Sequence, residues 1–250
     1  MDTRICQSLQ NIRLSCNTLK LIACICMLID HVGTGIFKYY IKVQSTVIMP
    51  DAYRFCSTAY DICNGIGRIA FPIFSFFIVE GFLHTRSVVK YAGRLLVFGL
   101  ISEIPFDLGL FKNIFYTDHQ NIMITFFIAL VMLCVLKYLD DNPMGLSDPV
   151  RYLAYICTII AFSDIAVVLK TDYSWKCTVL IAILYITRTA KPLQLILGAA
   201  ATAWEKYAPA SFLLLYFYDP EKKPKYKYAF YLFYPVHLIV IYILARLFIG

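Results

Sequence analysis

Leu19-Lys20-Leu21-Ile22-Ala23-Cys24-Ile25-Cys26-Met27-Leu28-Ile29-Asp30-His31-Val32-Gly33-Thr34-Gly35-Ile36-Phe37 is the stretch whose reading decides the fold. It matches the length of about 20 residues that a helix needs to cross a hydrocarbon core. It also carries an Asp-His pair in its interior, where ionisable groups are expensive. Runs of the same kind recur at residues 65–83, 91–104, 122–139, 152–169 and 228–248, with a shorter one at 174–187. Residues 192–218 divide at Glu205-Lys206-Tyr207 into two apolar pieces. These read either as two short spans or as a re-entrant hairpin, whose backbone survives in a membrane only where protein shields it. The expectation is an all-α, polytopic transmembrane helical bundle of about eight or nine spans.

Composition agrees. Of 250 residues, 60% are apolar and 16% charged, against roughly a quarter charged in soluble domains. Residues 1–18, with Arg4, Asn11, Arg13 and Asn17, lack the apolar core and small-residue cleavage site of a signal peptide. They read as a cytosolic N-terminal segment, and 19–250 as one transmembrane domain. The nine cysteines are scattered and odd in number, which gives neither a disulfide framework nor a zinc site. They read as small apolar filler, and no metal is expected.

Lys and Arg concentrate on the cytoplasmic side of membrane proteins. With the N-terminus inside, that side holds Arg4, Arg13, Lys20, Arg86, Lys90, Arg94, Lys137, Arg151, Arg188, Lys191, Lys222, Lys223, Lys225 and Lys227. The other side holds Lys38, Lys42, Arg54, Arg68, Lys112, Lys170, Lys176, Lys206 and Arg246. The bias predicts a multi-pass protein of the cell's inner membrane with its N-terminus in the cytosol and its C-terminus outside. The net charge of +7 then needs no nucleic acid, because basic loops against an anionic leaflet account for it.

Lys20 opens the first span and His31 follows eleven positions later. At about 100° per residue the two fall within about 20° of one helical stripe, and about 16 Å apart along it. That places an imidazole, the side chain best suited to move protons near neutrality, close to mid-membrane. A structural histidine bonded to another helix is the alternative. Asp30 projects about 100° away from His31 and points to a partner on another helix. Pro72 in the second run predicts a kink. Arg68 and Glu80 lie twelve residues apart and each needs its own partner, Glu80 being the deeper.

His84, Arg86, Lys90 and Arg94 follow as a basic loop, a topology signal or a phosphate clamp. Glu103 and Asp107 close the third run, while His119 and Asn121 open the fourth, so carboxylates and an imidazole meet at one outer mouth. His237, after Tyr234-Pro235, is a second imidazole inside a span. No phosphate-binding Gly-Lys-Ser/Thr loop, dinucleotide fingerprint, His-Glu-x-x-His or Gly-x-Ser-x-Gly occurs.

Lys20 to His31 with Met27, Asp30 and Gly33 resembles the TraX family. So do Gly67-Arg68-Ile69-Ala70-Phe71-Pro72-Ile73-Phe74, Val79-Glu80-Gly81-Phe82, His84-Thr85-Arg86, Lys90-Tyr91 and Arg94-Leu95. Ser102-Glu103-Ile104-Pro105-Phe106-Asp107, His119-Gln120-Asn121, Asp172-Tyr173 and Phe233-Tyr234-Pro235-Val236-His237-Leu238 extend the likeness over roughly residues 18–245. The resemblance implies a membrane protein linked to conjugation, with N-terminal acetylation of pilin as the best-known activity. The first span is also similar to that of membrane acyltransferases of envelope polysaccharides. There a basic residue, ten intervening positions and a catalytic histidine recur, with acyl-coenzyme A as donor.

These likenesses imply an acetyltransferase. Acetyl-coenzyme A would be held by Lys20, Arg86, Lys90 and Arg94, and catalysis would be centred on His31 with Asp30, Arg68 and Glu80. Glu103, Asp107, His119, Asn121, Asp172, Tyr173 and His237 are further polar candidates. The acceptor would be a protein N-terminus, a glycan or a small molecule. A transporter or flippase, and a non-catalytic subunit of a conjugation or pilus assembly machine, are the rival readings.

Overall fold

The long first run does not stop at Phe37. In the computed structural model, which describes residues 13–142, 147–220 and 227–249, it forms one continuous helical stretch, α1, Cys16–Val43. Ser15 caps its start, accepting from the Thr18 N–H at 3.1 Å, which satisfies one of the orphan donors of a first turn. Just after His31 the helix widens into a π-helical stretch, Gly33–Lys38, a form that often marks functional sites.

The chain returns along α1 as α2, Pro50–Gly67, and α3, Ala70–His84. Residues 38–64, expected to be an outer loop, are therefore mostly helix. Gly67 packs directly on the Asp30 side chain, and a Cβ there would collide with it. The break between α2 and α3 falls at Arg68-Ile69, one turn ahead of Pro72. Pro72 cannot donate to the Arg68 carbonyl four residues earlier, so the interruption of the stretch Pro50–His84 falls one turn before the proline, as expected of a proline kink.

Then follow α4, Val88–Phe106, with a π-helical turn Asp107–Phe111; α5, Ile122–Asp141; α6, Asp148–Val168; and α7, Ser174–Ile186. The ambiguous 192–218 region forms two short helices, α8, Lys191–Ala201, and α9, Ser211–Tyr216, which pack on each other. Its two ends meet, because Lys191 Nζ donates to the Tyr218 carbonyl at 3.1 Å. Eleven residues of helix rise only about 16 Å, half a hydrocarbon core, so the region has the geometry of a hairpin. Leu14 bonds the backbone on both sides of Tyr218, which brings the start of α1 to the same end as both hairpin feet. Last comes α10, Lys227–Phe248. The expectations for residues 1–12 and for Lys222, Lys223 and Lys225 concern positions outside the described residues.

Among the described residues there are no strands, only two isolated bridges, and all eight described cysteines are free. Five stretches are long and apolar enough to cross a membrane: Cys16–Val43, Pro50–His84, Ile122–Asp141, Asp148–Val168 and Tyr228–Phe248. Ser174–Ile186 is apolar but shorter, and Val88–Phe106 has the length but carries Lys90, Arg94 and Glu103.

Burial is arranged for lipid rather than water. On α6 the buried residues are Ser163 and Ala166, while Leu153, Ile156, Ile160 and Val168 are exposed. Ser163 and Thr178 hydroxyls bond at 2.7 Å across α6 and α7. Small side chains and such polar bonds hold helices together where lipid removes the hydrophobic drive, each bond contributing about 0.6 kcal/mol on average.

Candidate active site

α1 and α10 run side by side in the same direction, and their contact is built from the predicted stripe. Lys20 Nζ lies 5.8 Å from the Phe230 ring centre and 5.0 Å from that of Phe77. One stretch further along, His31 meets Tyr234, ring centres 6.2 Å apart, and His237, Nδ1 to Nε2 2.7 Å. Phe230, Tyr234 and His237 are spaced four and three residues apart, which is one face of a helix. The Lys20–His31 stripe of α1 thus faces one stripe of α10.

Asp30 turns to α2 instead, where its Oδ1 accepts from Asn64 Nδ2 at 3.2 Å. Asn64 Oδ1 in turn accepts from Arg68 Nη2 at 3.0 Å and Nε at 3.3 Å. Arg68 also donates through Nη1 to the Tyr173 hydroxyl at 2.9 Å and pairs with Glu205 at 3.4 Å. Glu205 sits at the turn of the α8–α9 hairpin, so the tip of that hairpin is tied to the α2–α3 break. Tyr173 has a left-handed backbone, φ 55°, and its ring stacks on Phe71 at 3.9 Å. A planar guanidinium suits this site, since it spreads several directed donors over one plane.

Asp172 carries the cluster onward. Its Oδ1 lies 3.4 Å from His119 Nε2, and Thr125 donates to its carbonyl at 2.7 Å. Asn121 caps α5, accepting from the Met123 N–H at 3.0 Å, and its amide donates to the Gly99 carbonyl at 2.8 Å and to Glu103. Asp107 is buried and accepts from the Tyr116 N–H at 2.8 Å. Tyr234 packs with Phe106 and Met123 as well as His31, so this second group lies at the depth of the histidines. The expected outer mouth is therefore sunk among helix ends. α5, α7 and the hairpin tip all terminate there, whereas α1, α2 and α10 continue past it. Gly35 and Gly109 let the π-helical stretches of α1 and α4 meet, since a Cβ on Gly35 would sit 2.8 Å from the Gly109 carbonyl. In the loop above, the hydrogen bond to Asp172 raises the pKa of His119, and burial lowers that of Lys112 to about 8.

The remaining predicted residues lie elsewhere. Glu80 accepts from the Tyr218 hydroxyl at 3.2 Å and lies 3.9 Å from His84. It is thirteen residues past Gly67, about 20 Å along the helix, and does not orient His31. Proximity in sequence to the Pro72 motif made it look deeper than it is. Arg86 and Lys90 are exposed in and just after the α3–α4 turn. Arg94 is partly buried, stacked on Tyr91 at 5.7 Å and close to Tyr231, next to the Phe230 that Lys20 touches. Of the four predicted donor-binding residues, the structure brings Lys20 and Arg94 to one stretch of α10.

Sequence reasoning missed Asn64, Glu205 and Tyr234. Glu205 had a signal, a carboxylate between two apolar pieces too short to span. Asn64 had one too, four residues before Arg68.

A bundle with apolar outer faces and a hydrogen-bonded cluster of ionisable groups in its interior is a polytopic membrane protein with a built polar site. A family model described as TraX protein matches residues 15–245. The probable fimbrial assembly protein FimC, serogroup H1, of Dichelobacter nodosus is 30% identical over 260 residues, covering 93% of this chain and 96% of that protein. The chain belongs to the TraX family. No solved structure matches it.

Proposed function

We propose that this TraX-family protein is a membrane acetyltransferase. It takes the acetyl group of cytosolic acetyl-coenzyme A and passes it to an amine or hydroxyl acceptor at His31. The observation that carries this reading is the α1–α10 contact, where one stripe joins a basic, aromatic end at Lys20 to a buried imidazole about 16 Å further on. The basic end, with Arg94, suits the phosphates of the donor, and the thin pantetheine arm spans the rest. Orientation follows the basic bias, with the N-terminal face towards the cytosol.

In the transfer step the acceptor's nitrogen or oxygen attacks the thioester carbonyl while the His31 imidazole takes its proton. The new C–N or C–O bond forms, the C–S bond breaks, and the proton passes to the departing thiolate. Arg68 and Tyr173 supply donors for the oxyanion side of the cluster. The acceptor enters from the face where α1, α2 and α10 continue beyond the cluster. A protein N-terminus fits, and the relative named for fimbrial assembly supports a pilus-linked substrate.

That same name favours a second reading, a non-catalytic assembly subunit. Isothermal titration of the purified protein with coenzyme A separates the two. Saturable binding, weakened in Arg94→Ala, supports the transferase. No heat of binding, with a well-folded protein, leaves the assembly role.

A further inference from the structure

His31 and His237 lie too close to be merely stacked. Their ring planes agree within 2°, with centres 5.0 Å apart and His31 Nδ1 2.7 Å from His237 Nε2. Stacked rings keep their atoms about 3.5 Å apart, so 2.7 Å requires an edge-to-edge hydrogen bond in a shared plane. The far nitrogen of His237 settles its direction. His237 Nδ1 lies 2.7 Å from the Phe233 carbonyl oxygen, and a carbonyl can only accept. In a neutral imidazole one nitrogen donates and the other accepts. His237 Nδ1 therefore carries its proton, His237 Nε2 carries a lone pair, and His31 Nδ1 must donate to it. The remaining nitrogen, His31 Nε2, is left with a lone pair. Pro235 lies within this turn of α10, where it removes a backbone N–H from the ladder, and Phe233 stacks on His237 with ring centres 4.7 Å apart.

We infer that His237 is a positioning residue that holds His31 with its proton on Nδ1, so that Nε2 is the atom that takes the acceptor's proton. The Phe233 carbonyl is the fixed point from which the relay Phe233–His237–His31 takes its polarity. A second group orienting the first imidazole is the general logic of an activated base, here supplied by a neutral ring rather than a carboxylate. In a low-dielectric site that choice avoids burying a further charge. The catalytic half of the inference rests on the transferase reading; the placement of the proton does not.

Nitrogen NMR on protein labelled with ¹⁵N-histidine tests the placement directly. The chain has four histidines, so His31→Gln assigns the His31 signals. The wild type should show His31 Nδ1 as the protonated nitrogen and Nε2 as the bare one. His237→Phe keeps a flat ring against Phe233 but offers no acceptor, and should release the preference. His237→Gln can accept from His31 and donate to Phe233, and should keep it. Acetyl transfer should follow the same order. The Phe variant should lose kcat, by less than the roughly 10²–10⁴-fold of removing the base, with the KM for acetyl-coenzyme A unchanged, while the Gln variant stays within a few-fold of wild type. A merely structural His237 would reverse the order, with Phe tolerated and Gln disruptive. A wild-type His31 protonated on Nε2, or a Phe variant that keeps the tautomer, overturns the inference. Absence of transfer with the tautomer intact overturns the proposed function instead.

Discussion

At Lys20 the α1–α10 contact is bordered by rings and cations: Phe77 and Phe230 beneath the ammonium, and Arg94 on Tyr91 beside Tyr231. At His31 the same contact is bordered by carboxylates. Asp30, Glu103, Asp107, Asp172 and Glu205 gather there, with Arg68 as the guanidinium that ties Asn64, Tyr173 and Glu205 together. One end is half-buried and loosely partnered, the other densely hydrogen-bonded. Charges at the first end can move to meet a ligand, since a lysine stem is flexible. Groups at the second end are held in place, which is what a reacting geometry demands. On the proposed function, the first end would bind the anionic donor and the second would carry the chemistry.

The largest effect that would sharpen this contrast is at the histidine. His31→Gln, which keeps hydrogen bonding but takes no proton, should reduce transfer by roughly 10²–10⁴-fold, with coenzyme A affinity unchanged by calorimetry. Near-normal transfer by the folded variant would erase the distinction between the two ends.

Arg68→Ala should be felt in stability as well. It strands Glu205 and the Tyr173 hydroxyl, and unsatisfied groups of this kind cost about 1–3 kcal/mol each. Thermal unfolding in detergent reads the loss. Arg68→Lys should recover only part of it, because one ammonium cannot reach Asn64, Tyr173 and Glu205 at once.

At the basic end, Lys20→Ala and Arg94→Ala should each weaken coenzyme A binding roughly tenfold, the scale of one charge-assisted bond, while leaving unfolding nearly unchanged. Wild-type binding should also weaken with added salt. An equal loss from Arg86→Ala, whose side chain is exposed in the α3–α4 turn, would move the donor site outward.

The smallest expected effect is the pH response of the loop before α5. Bonding to Asp172 holds the His119 pKa above its ordinary 6.5. A raised folded value means that protonated His119 stabilises the fold below pH 6.5, and that this is lost as pH rises through the folded value. The pair is partly exposed, so the change is slight. His119→Gln should flatten the dependence of Tm on pH in that window.

The helices that hold the site were legible wherever a long apolar run met a charge it could not ignore. Lys20, His31, Arg68 and His237 stood out for that reason, and the 3.6-residue period alone put Lys20 and His31 on one face. Residues 50–67 were not legible as a site element. Their apolar residues are too sparse to announce a span, and the helix finds its support in packing against α1, which no local pattern shows. Asn64 went unnoticed with it. Pro72, by contrast, was legible. A proline removes the bond to the carbonyl four residues earlier, and the break at Arg68-Ile69 lies there. Which end Glu80 occupied depended on where α2 began, and residues 50–64 carried no apolar run to show it.

The central claim is that this chain moves acetyl groups. The most direct measurement supplies the purified protein, in detergent or nanodiscs, with acetyl-coenzyme A labelled in the acetyl carbon and follows the label by mass spectrometry. The account predicts that label leaves the thioester, onto a supplied amine or hydroxyl acceptor and slowly into acetate without one, in wild type but not in His31→Gln. A folded wild-type protein that leaves the thioester intact with amine, hydroxyl and peptide N-terminal acceptors alike would contradict it.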